Sequence, residues 1–178
     1  MTRLELRRYG WMLTLAAIVL LADQISKFWA ISALSDGEHI TVIPQVIRFR
    51  LLLNPGAAFS IGEGSTWVFT LAAAAAVAVI LYVARRLQST AWTIVLAALL
   101  GGAASHLLDR LFRAPGFAQG HVVDFIDYGG LFVGNVADIA LTGGCAVLML
   151  LSLRGVPLGV VADNAHASSP ERAPEPES

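Results

Sequence analysis

Apolar residues in this chain come in long blocks rather than in short alternating runs. Four blocks reach the roughly 20 residues that a helix needs to cross a bilayer: residues 9–33, 66–84, 91–112 and 131–153. Each contains alanines and glycines that let helices approach closely. The expected fold class is therefore an all-α membrane protein with four transmembrane helices. Residues 38–60 break the pattern. His39-Ile-Thr-Val-Ile-Pro and Val46-Ile-Arg-Phe-Arg-Leu-Leu-Leu mix β-branched and alternating positions and end in Asn54-Pro55-Gly56, which reads as two short strands and a turn. A small β-hairpin or sheet on the outer face is predicted there. Beyond about residue 154 the apolar period is lost. Residues 165–178 are rich in Pro, Ser, Ala and Glu and read as a disordered cytoplasmic tail. The division is thus one membrane-embedded domain over 1–154 and a tail over 155–178.

The apolar run 11–22 follows Arg7 and Arg8 and resembles a secretory signal, but it continues through Asp23 and Lys27 without a small-residue cleavage site. It is read as a retained signal anchor. Arginines orient the spans. Arg3, Arg7 and Arg8 precede the first, Arg85 and Arg86 link the second and third, and Arg154 follows the fourth. Both ends are placed in the cytoplasm, against a minority of Arg48, Arg50 and Arg113 outside. Trp11, Trp29, Trp67 and Trp92 fall near span ends and read as interface anchors.

Composition supports lipid as the solvent. The chain of 178 residues is 56% hydrophobic and 14% charged, where soluble domains carry about 25% charged residues. A net charge of −1 gives no basic footprint for nucleic acid. The single cysteine, Cys145, excludes an internal disulfide and reads as a small packed helix residue.

Against this apolar background five aspartates stand out: Asp23, Asp109, Asp124, Asp127 and Asp138. A carboxylate in hydrocarbon costs several kcal/mol, so it is usually paired, hydrated or functional. Depth brings four of them together. Asp23 lies about 21 Å along the first helix from Tyr9, at 1.5 Å per residue. Asp109 is near the outer end of the third span, Asp124 on the outer link, and Asp138 about two turns into the fourth. Asp127 reads as solvated. Two carboxylates sharing one low-dielectric site divide a proton between them, so one can activate water and the other protonate a leaving amine. Other hydrolytic chemistries lack parts. There is no HExxH, His39, His106, His121 and His166 have no metal-ligand spacing, Ser60 and Ser105 sit in no nucleophile elbow, and Gly101-Gly102 is too little for a phosphate loop.

Five blocks then occur in a telling order: Asp23-Gln24-Ile25-Ser26-Lys27, Asn54-Pro55-Gly56-Ala57-Ala58-Phe59-Ser60, Gly101-Gly102-Ala103 with Asp109-Arg110, Val122-Val123-Asp124-Phe125, and Asn135-Val136-Ala137-Asp138. In this order and spacing the chain resembles the lipoprotein signal peptidases (signal peptidase II). The resemblance implies an aspartic endopeptidase of the bacterial inner membrane, inhibited by globomycin and needing no cofactor. Such an enzyme removes signal peptides from diacylglyceryl-modified prolipoproteins by cutting before the lipidated cysteine. It implies Asp124 and Asp138 as the catalytic pair. Asp23, Lys27, Asn54, Gly56, Asp109, Arg110 and Asn135 match the polar support and substrate-contact positions. Partners are the lipidated precursors and membrane lipid, and a monomer is expected. The chain departs from the family pattern at His106, where an asparagine is usual, and at Gly134, where a phenylalanine precedes the last asparagine.

From the residues alone, Asp23 and Lys27 could form a simple i,i+4 ion pair, and Asp109-Arg110 a buried structural pair. Asn54 is either a turn former or a backbone contact, and Gly56 permits an unusual angle or a close approach. His106 and His121 read as polar residues without catalytic roles. Three rival readings remain: a small proton-coupled transporter, which would need a midplane carboxylate with access from both sides, an inactive lipoprotein-binding homologue, and another intramembrane aspartyl protease, whose Gly-x-Gly-Asp motif the chain lacks.

Overall fold

The computed structural model describes residues 2–56, 66–87 and 89–158. Four helices, α1 (Arg3–Leu34), α2 (Thr66–Ala84), α3 (Thr90–Phe112) and α4 (Val136–Leu153), are each long and apolar enough to cross a membrane. Residues 57–60 of the second block and the tail over 165–178 lie outside the described residues.

Helix α1 starts six residues before the apolar block because Thr2 and Glu5 form a reciprocal capping box that satisfies its first backbone donors. Helix α3 is the buried one. It packs on α1, α2 and α4, while the other three turn most of their surface outward. Adjacent glycines make this possible. A Cβ on Gly101 would stand 2.6 Å from the Ala16 carbonyl oxygen of α1, and one on Gly102 would stand 2.7 Å from Leu141 of α4. The pair is thus a packing device that lets two neighbours close on one turn of α3.

The predicted hairpin is present as β1 (His39–Ile43) and β2 (Ile47–Asn54), paired antiparallel. The sheet is larger than the hairpin. Two further strands, β3 (Val122–Tyr128) and β4 (Val133–Gly134), extend it to four in the order β1-β2-β3-β4. The Val122-Val123-Asp124-Phe125-Ile126-Asp127-Tyr128 run has the β-branched and aromatic content of a strand, but it is too short and too buried to alternate. A T-shaped cluster of Trp29, Phe49 and Phe125 fastens the sheet to the C-terminal end of α1.

Several expectations change. Because residues 131–135 belong to the turn and to β4, α4 begins at Val136 and Asp138 lies in its first turn rather than two turns deep. Trp29 serves the sheet-to-helix cluster, and Trp92 is buried, donating from Nε1 to the Val156 carbonyl at 3.0 Å. Trp11 and Trp67 face outward as anchors would, and Trp29 does so as well while its ring joins the cluster. Cys145 is exposed on α4 rather than packed. The chain still packs on the bundle at Val156 and Leu158.

Candidate active site

Polar residues from α1 and α3 meet first in a closed ionic cluster. Asp23 and Lys27, one turn apart on α1, are fully buried and 2.6 Å apart. The expected i,i+4 pair is therefore real but incomplete, because the Lys27 ammonium also lies 2.7 Å from Asp109 of α3. Asp109 in turn accepts from Arg113 at 2.5 Å and from Gln24 at 3.0 Å. Asp23 accepts from the Ser105 hydroxyl at 2.6 Å and from the Ala137 backbone N–H at 2.8 Å. Every charge here has an opposite charge or several donors, which is what a carboxylate needs to persist in a low-dielectric interior. The Ala137 contact also ties the start of α4 to α1.

Asp109 and Arg110 do not pair with each other in the expected way. Arg110 turns toward the loops, where its guanidinium donates to the carbonyls of Asn54 (3.0 Å), Pro55 (3.0 Å), Gly120 (3.1 Å) and Gly56. It also stands over the Phe69 ring, 5.6 Å from its centre. One buried cation thus gathers the end of β2 and the approach to β3. The Gly56 carbonyl is one of the acceptors of Arg110. Asn54 forms the turn and also touches Asp124. Its Oδ1 accepts from the Gly56 N–H at 3.0 Å, which orients Nδ2 toward Asp124 at 3.0 Å.

Asp124 and Asp138 are joined through Asn135. The Asn135 side chain donates to Asp124 at 2.7 Å and accepts from the Asp138 N–H at 3.0 Å, and the Asn135 N–H donates to the Asp138 carboxylate at 2.9 Å. The latter two bonds form the capping box of α4, which holds a carboxylate at the positive end of the helix. The two aspartates differ in setting. Asp124 is almost wholly buried and meets two neutral amides. Burial pushes its pKa up to about 6, and the Asp138 charge adds to this against hydrogen bonds from Asn54 and Asn135. Asp138 is 38% exposed by its side chain, and its other oxygen lies 3.2 Å from Nε2 of His106. Both line a cavity of about 660 Å³ whose far wall is apolar: Phe69, Ala72, Ala73 and Ala76 of α2 and Leu141 of α4. A half-open carboxylate beside one whose burial favours its protonated form, at the polar end of an apolar cavity, can supply a base and an acid to one bound bond.

All nine residues singled out from the sequence thus lie in two adjoining networks. Gln24, Ser105 and Arg113 were missed as supports, although each is a polar residue at the depth of Asp23 or Asp109. Asp127 is a correction. It is not solvated but has no exposed surface, covered by Arg48 and Arg50, each 2.6 Å away, with the Gly130 N–H at 2.7 Å. This network borders the cavity of the pair through Arg50 and Gly130, and it occupies two of the three arginines that ran against the charge bias. Among the described residues, no three His, Cys, Asp or Glu side chains are placed to hold a metal.

A four-span bundle with a carboxylate pair at one end of a cavity defines a membrane-embedded hydrolytic enzyme. The family model for signal peptidase (SPase) II matches residues 15–154, and the chain belongs to that family of peptidases. Two relatives named lipoprotein signal peptidase are similar to it. The one from Leifsonia xyli subsp. xyli is 44% identical over 144 residues, 80% of this chain and 67% of that protein. The one from Mycolicibacterium smegmatis is 43% identical over 155 residues, 87% of this chain and 66% of that protein. The match therefore spans about two thirds of the length of each. A bacterial membrane enzyme solved by the in meso method at 2.3 Å resolution shares the fold, with a TM-score of 0.70 and 26% identity over 82% of this chain and 88% of that one.

Proposed function

We propose that this chain is an aspartic endopeptidase that removes signal peptides from diacylglyceryl-modified bacterial prolipoproteins, cutting before the lipidated cysteine, with Asp124 and Asp138 as its catalytic pair. The observation that carries this reading is the asymmetry of the pair. Asp124 is buried among amides with a pKa near 6, and Asp138 is open to the cavity, both fixed by Asn135. One proton shared between them suffices. Water in the cavity gives a proton to the ionised carboxylate as its oxygen attacks the scissile carbonyl carbon. The protonated partner donates to the carbonyl oxygen. As the C–N bond breaks, the leaving amine takes the proton held by the pair, and a hydroxyl of the tetrahedral diol gives its proton back to the pair as the carbonyl re-forms, so the pair ends with one proton. Asn54 and Asn135 hold Asp124, and Asp23, Lys27, Asp109 and Arg110 hold the elements that carry the pair. The apolar wall of α2 and α4 suits the hydrophobic part of a precursor or its acyl chains.

The working unit is the membrane domain to about residue 154, acting as a monomer in the cytoplasmic membrane. The remaining residues form a cytoplasmic tail that plays no part in cleavage. Both ends face the cytoplasm and the sheet faces outward, because Arg3, Arg7, Arg8, Arg85, Arg86 and Arg154 lie at the end of the bundle away from the sheet. A transporter would place its carboxylate at midplane, whereas this pair sits at the sheet end. Single cysteines at Glu38 and at Arg154, in a Cys145→Ser background, should label from opposite sides, Glu38 from outside. Labelling from the same side would refute the topology. Cleavage by the purified protein of a lipid-modified precursor, and not of its unmodified form, tests the activity. Asp124→Asn and Asp138→Asn should each lower turnover by at least about a hundredfold, within the 10²–10⁴ range of acid–base catalysis. Near-normal cleavage by either variant would remove that residue from the pair.

A further inference from the structure

His106, on α3, lines the cavity beside both aspartates and has no part in the reaction set out above. Its Nε2 is shut off from solvent, and Asp138 Oδ1 lies 3.2 Å away across the α3–α4 interface. The contact has the distance of an ion pair without the alignment of a good hydrogen bond, and active-site contacts of this kind commonly tighten when substrate fills the site. The other Asp138 oxygen is already taken by the Asn135 N–H at 2.9 Å. On that side there is no slack, since a Cβ on Gly134 would stand 2.9 Å from Oδ2. The carboxylate is therefore held from two directions, by the cap of its own helix and by a ring from the neighbouring one.

We infer that His106 is a positioning residue of the peptidase reaction, its ring N–H fixing Oδ1 of Asp138 so that the carboxylate keeps its face to the cavity. The inference rests on the proposed roles of Asp124 and Asp138. The other charged or titratable groups around His106 and Asp138 are Asp124 and Tyr128 on β3, Arg50 on β2 across the cavity, Asp23 and Lys27 on α1, and Asp109 and Arg110 further along α3. Asp23 and Asp109 are taken up by Lys27, and Arg110 by the loop carbonyls. Arg50 is taken up by Asp127, which leaves the His106 ring as the side chain in direct contact with Asp138. The α2 wall adds only Phe69 and alanines.

The test measures kcat and KM for cleavage of a diacylglyceryl-modified prolipoprotein from pH 5 to 9, with wild type, His106→Ala and His106→Gln. Glutamine presents an amide N–H at about the reach of Nε2 but carries no charge. His106→Ala should lose kcat on the order of 10²-fold, the cost of a misplaced reacting group, with KM close to wild type. His106→Gln should recover most of that loss. Activity that follows only the folded fraction, with kcat per folded molecule unchanged in His106→Ala, would overturn the inference by making His106 a packing residue. A raised KM with intact kcat would overturn it in favour of a substrate contact. If Asp124→Asn and Asp138→Asn abolish cleavage while both His106 variants behave as wild type, this inference alone falls. If the aspartate variants cleave normally, the catalytic reading falls first.

Discussion

Two clusters of aspartates stand next to each other at the same end of this bundle, built from the same residue type. In one, Asp23 and Asp109 share Lys27 and draw on Arg113, Gln24, Ser105 and a backbone N–H. In the other, Asp124 has two neutral amides, and Asp138 has a backbone cap and an imidazole. The first is compensated charge for charge and closed to the cavity. The second is undercompensated and open to it. A carboxylate whose charge is fully matched stays ionised and holds helices together, whereas one short of cations in a low dielectric keeps a proton available near neutrality. The partners, not the aspartates, decide which cluster is scaffold and which is chemistry.

The sharpest way to break this comparison is to disable each cluster and ask what is lost. In the second cluster, the double variant Asp124→Asn/Asp138→Asn should turn over little worse than either single variant, because groups that act as one unit are not additive. Losses that multiply would show two independent contributions instead of one shared proton. Single-turnover cleavage alongside precursor binding separates the chemical step from anchoring. Binding should survive all three substitutions.

In the first cluster, Lys27→Met should cost folding rather than chemistry. It leaves two buried carboxylates facing each other, and breaking a buried pair from one side typically costs about 3–5 kcal/mol. The expected result is a large drop in thermal stability in detergent, partly restored by adding Asp23→Asn and Asp109→Asn. Turnover per folded molecule should fall much less than with Asp124→Asn. A stable, folded and inactive Lys27→Met protein would move Lys27 into the reacting site and undo the division between the clusters.

Much of this contrast was legible beforehand, but unevenly. The four spans and the common depth of the aspartates follow from block length and helical rise alone, since lipid leaves few ways to satisfy backbone groups. The hairpin followed from alternation in residues 39–53. Strands β3 and β4 did not, because a strand buried on both faces shows no alternation and a two-residue strand shows none at all. That omission hid the setting of Asp127, and it moved the start of α4 and with it the depth of Asp138. Partner choice was the least legible. Asp109 and Arg110 adjoin in sequence yet serve different elements, since successive helix positions point about 100° apart. The contact of His106 with Asp138 depends on how α3 packs against α4, which no spacing along one helix encodes.

The smallest effect, and the finest test, compares a scaffold aspartate of the sheet with a reacting one by pH. Hydrogen bonds from Arg50, Arg48 and the Gly130 N–H hold Asp127 down at about 2, although burial alone would raise it. Its cover is only two half-exposed arginine side chains, so the effect on stability is modest. Its folded value lies below the unfolded one of about 3.9. Its stabilising contribution is therefore fully present above about pH 4 and is lost as pH falls toward 2. Asp124 has the opposite sign. With a folded value of about 6, raised by burial, its contribution is fully present below about pH 4 and is lost as pH rises through 6. Thermal unfolding in detergent across pH 2.5 to 7.5 should therefore give two difference curves of opposite slope. Wild type minus Asp127→Asn should rise between about pH 2 and 4 and then level. Wild type minus Asp124→Asn should be flat at first and fall between about pH 4 and 6. The slopes matter rather than the absolute midpoints, because an asparagine at 124 must also face the amides of Asn54 and Asn135. A flat Asp124 curve would mean that Asp124 is matched in charge as fully as Asp23, and the distinction between scaffold and chemistry would then have to rest on access to the cavity alone.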